Sequence, residues 1–176
     1  CGSMLHDLGK IGIPVEILEY PGKLSPQAMN IMRTHVDITE KIFGDVIEDT
    51  VKSLALRHHE KLDGSGYPRG LAADDLSTGE RIVAIADIIS ALSGTRSYKT
   101  AFSKDKICTI ITEMKDAGLI DAAIVELMIS DYDEIMEETR IQCQPILDIY
   151  VLIQKDFDRI SLAMTVDDIA GMKAVF

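Results

Sequence analysis

Residues 58–68 read HHEKLDGSGYP. Two histidines and a glutamate close a helical run whose spacing predicts a helix from Asp49 to Glu60, with Ala55, Leu56 and His59 in helical register. Gly, Pro, Asp and Ser then crowd the stretch LDGSGYPRGL, a composition that demands a loop. Helical patterning lies on both sides of it. Upstream, MLHDL ends at Gly9, read as a C′ glycine, and Pro14 stops that helix from resuming. Ser25 and Pro26 supply an N-cap and first-turn proline for a helix that Gly44 ends. Downstream, TGERIVAIADIISAL runs to about Gly94, and KDKICTIITEMKDAG restarts after Ser103. Asp121 caps another helix. Pro145 opens or kinks a last long helix to about Leu162, and Thr165 caps a short terminal one. The expected fold is all-α: a compact bundle of about seven helices with a C-terminal helical extension.

The chain has 176 residues, enough for one domain with a sizeable core. Aromatic residues make up 5% and Trp is absent, so Ile, Leu, Met, Val and Ala must build that core. Met29, Met32, Met114, Met128 and Met136 sit at positions that suit core filling. The net charge of −11 excludes DNA or RNA as an expected partner, because phosphate backbones are held by basic patches. A small anionic substrate is compatible with it where bound cations reverse the local field. Cys1, Cys108 and Cys143 show no C-x-x-C spacing, which points to a reducing, cytoplasmic compartment without disulfides or a zinc ribbon. The apolar run ILDIYVLI, 146–153, is too short to span a membrane and carries Asp148. The acidic run DYDEIMEE, 131–138, reads as solvated helix surface.

The four histidines all fall in polar clusters that interrupt apolar helices: His6-Asp7, Thr34-His35 and His58-His59-Glu60. Asp87 sits inside the still more apolar IVAIADIISAL. A single histidine of this kind is ordinarily a satisfied core residue. Four of four, with two aspartates, is another matter, because burying an unpaired carboxylate costs several kcal/mol and the sequence places few cations nearby. Divalent metal supplies the missing charge. Imidazole and carboxylate without thiolate suit Fe, Mn, Co or Zn in five- or six-coordinate geometry. Neighbours on a helix diverge by about 100°, so His6/Asp7 and His58/His59 suit two ions about 3.5–4 Å apart, with Asp7 as the bridge.

HDLGK, RTHV, HHEKLDGSGYP, RIVAIAD and RSYK, taken in order from residue 5 to about 102, resemble the HD-GYP phosphodiesterases, a branch of the HD metal-dependent phosphohydrolases. The likeness implies a metal-binding core over residues 1–103, with 104–176 as helices completing the same domain. It implies ligands His6, Asp7, His35, His58, His59 and Asp87. One ion would take His6, Asp7 and Asp87; the second would take Asp7, His35, His58 and His59. Two ions, or three in some members, are implied, commonly iron or manganese. The implied reaction is hydrolysis of cyclic di-GMP to pGpG or GMP, by in-line attack of a water made acidic by the metals. Lys10 would donate to the leaving ribose oxygen; its plainer role is a helix-terminal cation. Arg96 and Lys99 match basic positions that hold phosphate oxygens, and read equally well as a solvated loop. Gly64, Gly66, Tyr67 and Pro68 would contact substrate, gate the site or meet diguanylate cyclase domains. The chain would be the output domain of a bacterial signalling protein.

Two departures qualify that likeness. The family's upstream histidine and glutamate ligands have no counterpart before His6, so the second ion is expected to bind more tightly than the first. Ser90 replaces a usual aspartate one turn after Asp87, which favours an alternative: a degenerate domain that binds a ligand or partner without turnover. Another cyclic dinucleotide, or a nucleoside phosphate, is the alternative substrate. The helix ILDIYVLIQKDFDRI carries apolar residues on more than one face and reads as core or as a homodimer seam, the likeness favouring the seam.

Overall fold

The computed structural model describes residues 2–94 and 101–173, with side chains described as far as Ser161. The chain divides into two compact units, Cys1–Ile129 and Ser130–Phe176. The first holds α1 (Gly2–Leu5), a 3₁₀ turn (Leu8–Gly12), α2 (Val15–Leu18), α3 (Pro26–Arg33), α4 (His35–Phe43), α5 (Asp49–Leu56), a 3₁₀ turn (Ala73–Asp75), α6 (Thr78–Ser93) and α7 (Lys104–Asp116). It ends in α8 (Ala122–Ser130), and the second unit carries α9 (Tyr132–Lys173). No strand occurs among the described residues; one isolated antiparallel bridge joins Asp63 to Ala72 across the neck of the Gly-Tyr-Pro loop. The all-α expectation holds.

Capping chemistry sets the ends as expected. Ser25 Oγ accepts from Ala28 N, Ser103 Oγ from Lys106 N, and Asp121 Oδ1 from Ala123 N and Ile124 N. Ser77 and Glu80 form a reciprocal capping box at the start of α6. Glu80 is also buried and paired with Arg57 at 3.1 Å, which ties α6 to the end of α5.

Four expectations need correction. The helix expected from Ser25 to Gly44 is interrupted at Thr34, whose hydroxyl donates to Ile31 O, and α4 begins at His35. The helix expected to reach Glu60 stops at Leu56, so His58 and His59 stand on the turn after it. Likewise His6 and Asp7 stand on a turn beyond α1. The 100° divergence of helical neighbours therefore does not apply to either dipeptide. Pro145, finally, lies inside α9, which runs unbroken to Lys173 without a separate terminal helix.

In the first unit the Leu8–Gly12 turn packs on α4, α1 on α5, and α5 on both α4 and α6. Val36, Phe43, Ala55, Ile85, Ile89, Ile107, Ile111 and Val125 are buried. Of the methionines expected inside, Met128 is buried and Met29, Met32, Met114 and Met136 are half-buried. Asp133, Glu134, Glu137 and Glu138 are exposed, as the acidic run predicts. No helix among the described residues is long and apolar enough to cross a membrane.

Candidate metal centre

Gly9 decides how close the His6-Asp7 turn comes to α4. It does not adopt a positive φ, so the C′ role expected for it is not the one it plays. Its N–H donates to Thr39 Oγ1 at 2.8 Å, and Thr39 in turn donates to His35 O at 2.9 Å. A Cβ on Gly9 would lie 1.9 Å from His35 O. The bare backbone lets Asp7 and His35 share one pocket.

All six expected metal-binding side chains converge there. His35, His58 and His59 present ring nitrogens within 4.8 Å of one another, and His6, His58 and Asp87 form a second such group. His58 belongs to both. Its Nε2 lies 3.5 Å from that of His35 and 4.0 Å from Asp7 Oδ1. Asp7 spans the centre: Oδ1 faces His35 at 3.6 Å, while Oδ2 faces His6 at 3.3 Å and Lys10 at 2.5 Å. Asp87 closes the far side, 3.4 Å from His6 Nε2 and 4.0 Å from His59 Nδ1.

Three of the imidazoles are oriented the same way. Nδ1 of His6, His35 and His58 sits 2.6–2.7 Å from the carbonyl oxygen of Ser3, Met32 and Ala55, each three residues earlier. A carbonyl only accepts, so Nδ1 carries the proton and Nε2 is turned inward. Backbone orientation of this kind is the usual second partner of a metal-bound histidine. His6 Nε2 and Asp7 Oδ1 are meanwhile buried with no hydrogen bond at all. Buried polar atoms are almost always satisfied, and a cation is the partner that satisfies a carboxylate oxygen and an imidazole together. The residues present fit a divalent metal group.

The electrostatics set His6 apart from the other three histidines. Close carboxylates of Asp7 and Asp87 push the His6 pKa up to about 10. Burial works to raise the Asp7 carboxyl, but His6 and Lys10 outweigh it and hold it well below the usual range. Burial also works against ionised Asp87, and His6 and the neighbouring histidines again prevail and lower it. Burial lowers His58 to about 4 and, with the help of His58, His59 to about 3; His35 is lowered by burial as well. Those three rings are neutral at pH 7, the form in which imidazole binds a metal.

The Gly-Tyr-Pro loop is built onto this centre. The Tyr67 ring stacks on His59 at 4.6 Å between centroids, and Arg33 covers Tyr67 at 4.9 Å. Tyr67 N donates to His59 O, and a Cβ on Gly66 would lie 2.4 Å from Glu60 Cα, so only glycine allows that approach. Arg69 reaches Glu40 on α4 at 2.5 Å.

Glu60 is the residue that sequence reasoning left without a role. Buried at 3% exposure, it accepts from Arg69 N at 2.7 Å and Leu71 N at 3.0 Å and so holds the returning arm of the loop. An acid beside two histidines reads as one more ligand, which hides this backbone function. Glu60→Ala leaves two part-buried amides without their acceptor and is expected to cost about 1–2 kcal/mol. Hydrogen exchange at Arg69 and Leu71 should accelerate selectively; unchanged protection would show that the loop is held elsewhere. Arg33 and Thr39 were also missed, since nothing in their local sequence marks either contact. Arg96 and Lys99 lie outside the described residues. Ser90 borders a cavity of about 180 Å³ with Ser3, His6 and Asp87, so its position is next to the centre as expected.

A family model described as HD domain matches residues 1–124. The chain belongs to the HD domain family. Over 135 residues it is 40% identical to the 3'3'-cGAMP-specific phosphodiesterase 2 of Vibrio cholerae, covering 75% of this chain and 26% of that protein. It is also 40% identical over 135 residues to the probable cyclic di-GMP phosphodiesterase of the same organism, covering 69% and 31%. The cyclic di-GMP phosphodiesterase of Thermotoga maritima is 45% identical over 98 residues, covering 54% and 27%. This HD domain chain therefore spans roughly a quarter to a third of the length of these curated relatives. Phosphohydrolases of the HD domain type are metal-dependent, and the described His/Asp groups are placed to serve that chemistry.

Proposed function

We propose that this chain is the catalytic unit of a metal-dependent cyclic dinucleotide phosphodiesterase that opens cyclic di-GMP to pGpG, and in a further step to GMP, as the output of a bacterial signalling protein. The observation that carries the proposal is the convergence of His6, Asp7, His35, His58, His59 and Asp87 around two unsatisfied buried atoms, His6 Nε2 and Asp7 Oδ1. His35, His58 and His59 would hold one ion and His6, His58 and Asp87 would face the other, with Asp7 between them. Iron or manganese suits this nitrogen and oxygen set. Bound metal supplies Lewis acidity towards phosphoryl oxygens and lowers the pKa of water.

The chain's own residues do the rest. Tyr67, stacked on His59 and covered by Arg33, walls one side of the site and is held in place by both contacts. Asp7 holds Lys10 at the centre, where its ammonium group donates a proton towards the departing ribose oxygen. Lys10→Met is expected to lower kcat about 100-fold, with metal content unchanged and KM altered less than about threefold. An unchanged kcat would return Lys10 to the role of a plain ion-pair partner of Asp7.

The proposal is tested by anaerobic reconstitution with Fe(II) or Mn(II), elemental analysis, and chromatography of products from cyclic di-GMP. Conversion to pGpG by the loaded protein alone supports it. A second substrate, 3'3'-cGAMP, has a specific observation in its favour, because one of the relatives just described is named for it. Faster turnover of 3'3'-cGAMP in the same assay would select that reading. Two bound ions with no turnover of either would select the binding module that Ser90 suggests.

A further inference from the structure

Every described side chain of α9 from Glu137 to Ser161 is exposed, and the catalytic reading uses none of them. Among them Ile146, Tyr150, Ile153, Phe157 and Ile160 are 59–68% exposed. Together with exposed Cys143, these residues are spaced 3, 4, 3, 4 and 3 apart. That is an unbroken a/d heptad seam on a continuous helix. Positions on the opposite face include Asp148, Lys155, Asp158 and Arg159. Pro145 falls at a c position, away from the seam, which is why it sits in the helix without interrupting the stripe.

We infer that α9 pairs with α9 of a second copy of this chain, as an antiparallel two-stranded coiled coil through Cys143, Ile146, Tyr150, Ile153, Phe157 and Ile160. Three features select a second copy in this orientation. The first is self-complementarity. In the antiparallel register Tyr150 faces Ile153, Ile146 faces Phe157 and Cys143 faces Ile160, so each aromatic meets an aliphatic residue and all six layers close on themselves. A parallel pair would set Tyr150 on Tyr150 and Phe157 on Phe157.

The second feature is charge. Residues 144–161 carry Asp148, Asp156 and Asp158 against Lys155 and Arg159, so this stretch is near neutral in a chain of net charge −11. Two copies can meet there with little repulsion. The acidic residues Asp131, Asp133, Glu134, Glu137 and Glu138 lie at one end of α9, and the antiparallel arrangement sends the two acidic ends apart. The third is area. The five large seam residues, flanked by Leu147 at 51% and Ile149 at 59% exposure, would remove on the order of 1,500 Å² of surface from water across the pair, within the range of a specific dimer.

The test uses the 176-residue chain as it stands. Light scattering at about 50 µM should give the dimer mass. Ile153→Glu should give the monomer mass, and Lys155→Glu, on the outer face, should leave the dimer intact. Unchanged metal content and an unchanged melting midpoint of the first unit in Ile153→Glu distinguish a broken seam from misfolding. Orientation is read by adding diamide as the two-electron oxidant to Ile160→Cys. The antiparallel pair predicts a covalent dimer whose linked peptides join position 143 of one copy to position 160 of the other. A monomer at 50 µM, or a dimer that survives Ile153→Glu, would overturn the pairing. A 143-to-143 link in the unaltered chain would overturn the antiparallel arrangement.

Discussion

His58→Ala is expected to remove metal from both halves of the centre at once. Its ring is 2% exposed and is the one imidazole that belongs to both groups of converging donors. Losing His35 or Asp87 would leave one group whole; losing His58 leaves two donors in each. Bound Mn(II) or Fe(II) should fall at least about tenfold by elemental analysis, and turnover by about 1,000-fold or more, since removing a direct ligand exceeds the 10–100-fold cost of a supporting partner. The alanine also leaves a small cavity, worth about 1–2 kcal/mol, so a parallel His58→Gln variant keeps the volume while removing the imidazole. Both variants should lose metal together. Retention of metal by either would mean that Asp7 alone joins the two groups and that His58 is a packing residue.

Gly9→Ala is expected to have the largest structural effect of any glycine-to-alanine change among the described residues, because its added Cβ makes the shortest contact. The added Cβ would lie 1.9 Å from His35 O, 2.6 Å from Thr39 N and 2.7 Å from Thr39 Oγ1. Two of these neighbours are backbone atoms of α4, so no side-chain rotation relieves the overlap. The Leu8–Gly12 turn must lift away from α4, breaking the Gly9 N–H to Thr39 Oγ1 bond and carrying His6 and Asp7 from His35. Overpacking of this severity costs about 3 kcal/mol or more. Urea denaturation should show a markedly lower midpoint, and metal affinity should fall even under conditions where the variant is folded. By contrast, a methyl added to Gly44 would meet nothing within 4 Å, so Gly44→Ala gives a matched control whose cost comes from a φ of +51° alone. Equal midpoints for Gly9→Ala and the unaltered protein would contradict the close approach of turn and helix.

Much of this was legible in the residues themselves. Four histidines and two aspartates inside apolar runs announced a cation, because an isolated buried carboxylate is otherwise left without compensation for its lost hydration. Helix starts at Ser25, Ser103 and Asp121 follow from side-chain oxygens that satisfy free amides, a purely local interaction. The heptad spacing of α9 is local in the same sense: it is a property of the order of residues along one helix.

Tertiary structure alone decided the rest. His58 and His59 leave the helix before they meet the centre. Gly9 is required by a neighbouring helix and not by its own φ, and Glu60 holds a loop and not a metal. The Gly9 contact joins residues 30 apart in the chain, and Arg33 over Tyr67 likewise joins separate segments. The sequence by itself determined which groups must be charged, buried and gathered, since desolvation penalties attach to residue types. Which nitrogen faces which carboxylate, and which glycine admits the approach, was decided by packing at distances of about 2–4 Å, where contact energies change too steeply for a one-dimensional pattern to record them.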